Sequence, residues 1–483
     1  MDTDIQSLTH GKISQLFPHQ EELISAITAK LWDGARLIVV NAPPGTGKSV
    51  VAIAIAPSGT LISTSTVHLQ NQYAGYGLPV LKGRSWYECS LVPNITAEDA
   101  PCAYSQMDCL ASCAYKRARA AAVSSKVTVI NNSLLWVEAA YQTPLIARRS
   151  VLIADEAHKL LDDVVKSAGI EIPKRAFSTL VNNYWPPTDS DAIREWARKV
   201  MPTVRAATQA VYRKGQLRLA AVGRRLLFTL SSITRYAGWQ FIPGDDSVMI
   251  IPTDGSALIK EILTRFKIVA MSACITDDFV RTHWGIDNFE YIETRCYYPP
   301  QIRPIIFLPA TAIDRNATAE DYDRLAEAVC NLIRLNPSKR GVVHTVSAHL
   351  THELAARLGN TDIAGRIVIG IGKERIKAFS RFTAIPDAVL VGPSFSEGVD
   401  FAGDLARFQV VAKIPFPDKT DPRIAHYSHG QYMSATISAF IQMYGRGVRS
   451  PDDFCVTYVV DSNFRMIRRF LPEWVKEAVV SHQ

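Results

Sequence analysis

Residues Ala42-Pro43-Pro44-Gly45-Thr46-Gly47-Lys48-Ser49 follow directly on the apolar run Leu37-Ile38-Val39-Val40. Their spacing is that of a phosphate-binding loop, G-x-x-x-x-G-K-[ST], with Ala42 in place of the first glycine. A triphosphate concentrates several negative charges in a small volume, so holding it takes many donors at short range. The backbone of Pro44, Gly45, Thr46 and Gly47 can curl until successive N–H groups point inward. Lys48 then bridges the β- and γ-phosphates, and the Ser49 hydroxyl takes a position on Mg²⁺. A buried strand in front and a helix start behind are the setting such a loop needs.

A second half-site is expected about a hundred residues on. Ser150-Val151-Leu152-Ile153-Ala154 is a run of consecutive apolar positions, which predicts a strand covered on both faces, as in a parallel sheet. It ends in Asp155-Glu156-Ala157-His158. Alone, an acidic pair there would be an ordinary solvated strand end. Behind a phosphate loop, Asp155 becomes the Mg²⁺ partner and Glu156 the group that polarises the attacking water, with His158 coupling the site to the rest of the molecule.

From these four letters onward the chain resembles superfamily 2 helicases, and within them the iron–sulfur XPD/DinG family. Leu16-Phe17-Pro18-His19-Gln20 is similar to the element in which a glutamine reads adenine, which implies that Gln20 meets the base edge and Phe17 packs on the ring. Leu61 to Thr66, with Gln70 and Gln72 behind, resembles the motif whose hydroxyls hold DNA phosphates; Ser63, Thr64, Thr66 and Gln70 take that role by resemblance. Val129 to Leu135 is similar to the segment just after the cluster domain. Met271-Ser272-Ala273-Cys274 stands where the family has Ser-Ala-Thr, so a thiol replaces a hydroxyl in a coupling motif.

The C-terminal third continues the match. Gly392 to Gly403 resembles the motif that senses nucleotide across the cleft, implying cofactor contacts from Glu397, Gly398 and Asp400 and DNA contacts from Ser394 and Phe395. Lys413-Ile414-Pro415-Phe416-Pro417 is similar to a family segment that follows it. Gln442-Met443-Tyr444-Gly445-Arg446-Gly447-Val448-Arg449 resembles the arginine-finger helix, with Gln442, Arg446 and Arg449 as its catalytic side chains. Two arginines three apart share one helix face, so both are expected to reach the γ-phosphate. Such a finger contributes on the order of 10³–10⁵ in rate in other NTPases.

Four of the eight cysteines, Cys89, Cys102, Cys109 and Cys113, crowd into one short stretch, and the rest are scattered. Disulfides do not suit a nucleotide-driven protein in a reducing compartment, so four clustered thiols point to metal. Zinc prefers paired C-x₂₋₄-C knuckles, whereas the intervening stretches here are irregular; spacing alone leaves zinc and an iron–sulfur cluster open. The insertion point, between the Ser/Thr-rich motif and the D-E-A-H strand, is where XPD/DinG relatives carry a 4Fe–4S domain. The lead-in Lys82-Gly83-Arg84-Ser85-Trp86-Tyr87-Glu88-Cys89 is similar too, so the resemblance implies a 4Fe–4S cluster.

The 483-residue chain is 47% hydrophobic, enough for two to four cores. It has no 18-residue apolar run and no signal-peptide pattern, so a cytoplasmic protein without a membrane partner is expected, and the resemblance implies association with DNA. Little sequence precedes Phe17 or follows the last expected strand, so an appended exonuclease domain is not expected. The net charge of +7 is unevenly held. Residues 190–235 carry Arg194, Arg198, Lys199, Arg205, Arg213, Lys214, Arg218, Arg224, Arg225 and Arg235 against Asp191 and Glu195. That segment has helical periodicity and lies where the family inserts its arch domain. It is either a solvated basic face or an electrostatic guide for a threaded single strand.

The expected fold is α/β, with two RecA-like parallel-sheet motor domains. Residues 1–80, 126–158 and 254–302 form the first, 81–125 a 4Fe–4S insert, 159–253 a reduced, mainly helical arch-like insert, and 303–483 the second. The implied function is an ATP- and Mg²⁺-dependent DNA helicase, a monomeric motor moving 5′→3′ on single-stranded DNA and opening forked duplex or an RNA–DNA hybrid. The alternative is a translocase that displaces protein or RNA without separating a duplex.

Overall fold

The structure, a computed structural model, describes residues 6, 9, 11, 13, 15–103, 109, 112–393, 401, 403–448 and 452–480. In chain order its strands are β1 (Leu37–Asn41), β2 (Thr60–Thr64), β3 (Val127–Asn131), β4 (Val151–Asp155), β5 (Ile170–Pro173), β6 (Trp239–Pro243), β7 (Ser247–Pro252), β8 (Lys267–Ser272), β9 (Glu290–Glu293), β10 (Ile305–Thr311), β11 (Gly341–His344), β12 (Ile367–Ile369), β13 (Val389–Gly392), β14 (Phe408–Val411), β15 (Val456–Asp461) and β16 (Val479–Val480).

Two sheets are wholly parallel. The first runs β3-β2-β4-β8-β1-β9 and the second β12-β13-β11-β14-β15-β10-β16. Every residue of β1, β2 and β4 is buried, as consecutive apolar positions require when helices cover both faces. Parallel pairing puts all carboxyl ends on one edge. Asn41 of β1 is in register with Ser272 of β8, and Asp155 of β4 with Met271. The strand ends that carry the phosphate loop, the Ser272–Cys274 segment and the acidic pair therefore stand side by side, the position where open α/β sheets bind ligands.

Two inserts interrupt the first lobe. The cysteine-bearing stretch between β2 and β3 is mostly irregular and closes on the helix Ala114–Ser124. Arg119 of that helix pairs two-pronged with the buried Glu138, with Nη2 2.9 Å from Oε2. Its C-terminal end is gripped by buried Arg149, whose guanidinium donates to the carbonyls of Ala122 (2.6 Å), Lys126 (2.9 Å) and Thr60 (3.3 Å) and to Thr128 Oγ1 (3.1 Å).

The second insert contains the helices Leu160–Ala168, Lys174–Val181, Ser190–Arg213 and Leu217–Arg235. Beside them lies an antiparallel sheet, β5-β7-β6, which the expectation of a mainly helical insert missed. These strands are short, and β5 alternates buried and exposed, a signal too brief to stand out from helical text. The insert also touches the second lobe: Tyr427 donates to Asp162 at 3.0 Å, and His426 Nε2 lies 2.7 Å from Gln240 Oε1.

Residues 294–304 join the lobes. Thr294 N–H donates to the Asn41 carbonyl of β1. Buried Arg303 donates to the Tyr298 carbonyl (2.8 Å), the Tyr444 hydroxyl (2.9 Å) and the Trp474 carbonyl (2.6 Å). Among the described residues, no helix is long and apolar enough to cross a membrane.

Arg149→Ala would leave buried carbonyls at the root of the cysteine insert without donors. We expect a loss of about 3–5 kcal/mol, read as an earlier first unfolding transition in urea; an unchanged midpoint would show that solvent takes over the guanidinium's role.

Candidate active site

Gly47 adopts φ +76° as the N-cap of the helix Lys48–Ala54, a conformation a side chain strains. A Cβ there would also meet Gln20 Nε2 at 2.2 Å. Lys48 Nζ donates to the Ala42 and Pro43 carbonyls at 3.1 and 3.4 Å. Thr46, 2% exposed, closes the loop by donating to the Pro43 carbonyl at 2.7 Å. Ser49 Oγ donates to Asp155 Oδ2 at 3.2 Å, and Tyr73 OH to the same oxygen at 2.8 Å. Burial, then repulsion from Glu156, pushes the Asp155 carboxyl up. A hydroxyl and a carboxylate this close suit an octahedral Mg²⁺ that keeps several waters.

Glu156 sits at φ +55°, unusual for a residue with a side chain, at the turn out of β4. Burial alone would raise its carboxyl, but the cationic neighbours Lys48, His158 and Arg446 hold it below the ordinary carboxylate range. Its Oε2 accepts from Gln442 Nε2 of the second lobe at 3.3 Å and lies 3.4 Å from His158 Nδ1. The same His158 nitrogen is 2.8 Å from Ser272 Oγ. Ser272 Oγ is in turn 3.3 Å from Cys274 Sγ, and Gln442 Nε2 is 3.9 Å from that sulfur. Glu156, His158, Ser272, Cys274 and Gln442 thus form a closed ring across the lobe boundary. Burial opposes charge on both His158 and Cys274. Each nevertheless stabilises the other's ionised form, so the imidazole is raised and the thiol lowered.

Pro44, Lys48, Ser49, Glu156, Gln442 and Arg446 line one cleft of about 330 Å³. The second lobe comes against the phosphate loop itself: a Cβ on Gly445 would lie 2.5 Å from Pro44 Cγ. This glycine caps the helix His429–Tyr444, so Arg446 lies in the turn beyond it. The expectation of two arginines on one helix face is therefore corrected. The helix ends at Tyr444 with Gly445 as its cap, where close contact with Pro44 leaves no room for a side chain, and glycine is a poor helix former. Arg449 lies outside the described residues, as do Ser394, Phe395, Glu397, Gly398 and Asp400.

Three of the residues expected to touch DNA point inward. Ser63, Thr64 and Gln70 are fully buried. Ser63 Oγ bonds Asn132 Oδ1, Thr64 Oγ1 donates to the Thr66 carbonyl at 3.3 Å, and Gln70 Nε2 to the Leu81 carbonyl at 3.4 Å. Ser63 links β2 to Asn132, Gln70 links the next helix to Leu81, and none of the three side chains is presented to a phosphate. Thr66 caps the helix Val67–Gly75 and lines the cleft. Gln20 is buried as well: Nε2 donates to the Thr46 carbonyl at 3.2 Å, and Oε1 accepts from Phe17 N–H at 3.0 Å. It braces the phosphate loop, so reading adenine would require exchanging one of these bonds. Phe17 is exposed and stacks on His19, which stacks on Tyr297 of the inter-lobe segment at 3.9 Å.

Tyr73 and Tyr297 were missed in the sequence. The signal for Tyr73 was its i+3 spacing from Gln70, which puts both on the buried face of one helix; Tyr297 gave no local signal.

Cys89, Cys102, Cys109 and Cys113 line a second, smaller cavity of about 50 Å³ together with Arg84 and Lys116. All four are free thiols, and Cys109 and Cys113 are buried. Among the described residues, no three His, Cys, Asp or Glu side chains are grouped as a single metal ion would need. Four thiols around one cavity, with two cations to offset thiolate charge, are a donor set of the kind a multi-iron cluster uses.

The helicase C-terminal domain family matches residues 329–478. Over 96% of this chain and 98% of the other, the structure superposes on a solved XPD helicase with a TM-score of 0.66 at 15% identity. In fold, the chain is XPD/DinG-like. Xpd4 of S. tokodaii superposes with a TM-score of 0.60, again at 15% identity, over 96% and 99% of the two chains. The ATP-dependent DNA helicase CHL1 of Candida albicans is 27% identical over 113 residues, 19% of this chain and 13% of that protein. The ATP-dependent DNA helicase DDX11 of Danio rerio is 28% identical over 111 residues, 19% and 12% of the two. The match thus spans about one eighth of the length of these curated relatives.

Cys274→Ala removes the sulfur beside His158 without adding charge, so the imidazole pKa should fall. The histidine Cε1–H resonance of selectively labelled protein would show its midpoint moving to lower pH; no movement would mean that Glu156 alone sustains the imidazolium.

Proposed function

We propose that the protein is an ATP-dependent DNA helicase of the XPD/DinG type. The observation that carries this reading is the nucleotide cleft built from both lobes: phosphate loop, acidic pair and Ser272–Cys274 from one, Gln442 and Arg446 from the other. A triphosphate between them is held by the loop amides and Lys48. Glu156, kept ionised by the surrounding cations, accepts a proton from the attacking water. Arg446 meets charge developing on the γ-phosphoryl group. Ser49 and Asp155 would hold Mg²⁺, which would neutralise charge on the phosphate oxygens. After cleavage the anion that joins the lobes is divided, their closure loosens, and alternate grip by the two lobes moves the protein along a strand.

The cysteine pocket is proposed to hold a 4Fe–4S cluster through Cys89, Cys102, Cys109 and Cys113, which supplies rigidity to residues 81–125 as a wedge at the fork. We propose residues 159–253 as a reduced arch and residues 303–483 as the second motor domain. Phosphate contacts from the segment around Thr66 and from residues 394–400 would grip the strand without reading sequence. Movement 5′→3′ and action as a monomer are inferred from the XPD-like resemblance.

Lys48→Ala should abolish single-strand-stimulated ATP turnover, and Arg446→Ala should lower it by about 10³-fold or more. Turnover equal to wild type in both would remove the mechanism. Protein prepared without oxygen should be brown and hold about four irons per chain; one zinc and no iron would replace the cluster with a structural knuckle. Unwinding of 5′-tailed, 3′-tailed and RNA–DNA forks then fixes polarity and substrate.

A further inference from the structure

The ten basic residues of 190–235 separate into two groups by what they touch. Arg198 and Lys199 pair with Glu195 at 3.6 and 3.5 Å. Arg224 bonds the Glu98 carbonyl of the cysteine insert, and Arg225 lies 3.9 Å from Glu98 Oε1. Arg235 donates to the Ala140 carbonyl at 3.1 Å, and Arg194 is half-buried. These six hold the insert together or against its neighbours.

Arg205, Arg213, Lys214 and Arg218 remain. All four are exposed, and none has a side-chain partner among the described residues. They cluster at the turn between the helices Ser190–Arg213 and Leu217–Arg235, with Arg205 only about 12 Å along the first helix from Arg213. No Asp or Glu occurs from Trp196 to Gly244 to offset them.

Helix electrostatics explains part of this set. Arg213, in a last turn, is favoured by the helix dipole; Arg218, in the first turn of the next helix, is opposed by it. Like charges on Arg213, Lys214 and Arg218 at the turn, with Arg205 two helical turns away, also repel one another. Folding does not call for that arrangement, so an external polyanion is the better account. Its type follows from how little open aromatic surface the tip offers: from Pro202 to Arg225 the one aromatic residue is Tyr212, which is half-buried and already engaged. Unpaired bases need aromatic platforms. A duplex stacks its own bases and offers only phosphates.

We propose that the tip of this helical hairpin, through Arg205, Arg213, Lys214 and Arg218, is a binding site for the phosphate backbone of double-stranded nucleic acid. The proposal deepens the DNA-motor reading, since the hairpin leans on the cysteine insert through Glu98 and would hold unopened duplex beside it.

The test is equilibrium binding of the full chain, without nucleotide, to a blunt duplex and to a single strand of equal length between 50 and 200 mM salt. If all four contacts form, R205Q/R213Q/K214Q/R218Q should flatten the duplex salt dependence by about 0.9 per lost contact. Wild type would then lose about 150-fold more duplex affinity than the variant over that range. Single-strand binding should be unchanged, and R205K/R213K/K214R/R218K should behave as wild type. Equal duplex slopes for wild type and the glutamine variant would overturn the site, as would an effect confined to the single strand or loss of slope in the charge-keeping control. Because no ATP is present, this outcome is independent of the Lys48 and Arg446 experiments: failure of turnover sinks the motor and leaves the tip, and the reverse also holds.

Discussion

Parallel pairing of β4, β8 and β1 is the constraint on which the rest of the molecule depends. It brings three chemically different strand ends into one row: an anion-binding loop, a hydroxyl and thiol, and two carboxylates. Carboxylates alone on a buried edge would repel each other and take up protons. Here Lys48, His158 and Arg446 face Glu156, and Ser49 and Tyr73 donate to Asp155. The two acids are thereby given unlike environments, one pushed up and one held down, which is how a pair of neighbouring carboxyls can divide two tasks.

The second lobe completes this balance. Gln442 closes the ring around Glu156, and Gly445 lets the backbone rest on Pro44. Arg303 holds the connecting segment by three bonds to the second lobe and to the segment itself, while Tyr297 stacks on His19 of the first. The lobes meet through these polar contacts, the approach of Gly445 to Pro44, and a buried apolar contact in which Ala273 and Cys274 pack with residues of the helix His429–Tyr444.

Much of this was legible in the sequence because buried parallel strands announce themselves as unbroken apolar runs, and the chemistry sits at their ends. Val151–Asp155 and Leu37–Asn41 could be placed from pattern alone. The side-chain direction of β2 could not. Hydroxyls on Ser63 and Thr64 suggest a ligand, yet a strand central to a covered sheet has no solvent face, and their bonds go to Asn132 and Thr66. The end of the helix before Arg446 was also hidden, since Gly445 is explained only by Pro44, some 400 positions earlier. The basic insert had the opposite difficulty. Its charge was plain, but only folding shows which arginines are already engaged, as Arg224 is with Glu98.

The turn Ala157–Lys159 runs without interruption into the helix Leu160–Ala168, and Asp162 in that helix's first turn receives Tyr427 from the opposite lobe. His283 stands 3.4 Å from the same carboxylate. No slack segment separates Glu156 from this outer contact, so the two belong to one stiff lever. A rotation of the backbone at Glu156 would therefore displace Asp162 and its contact with Tyr427 at the rim of the junction.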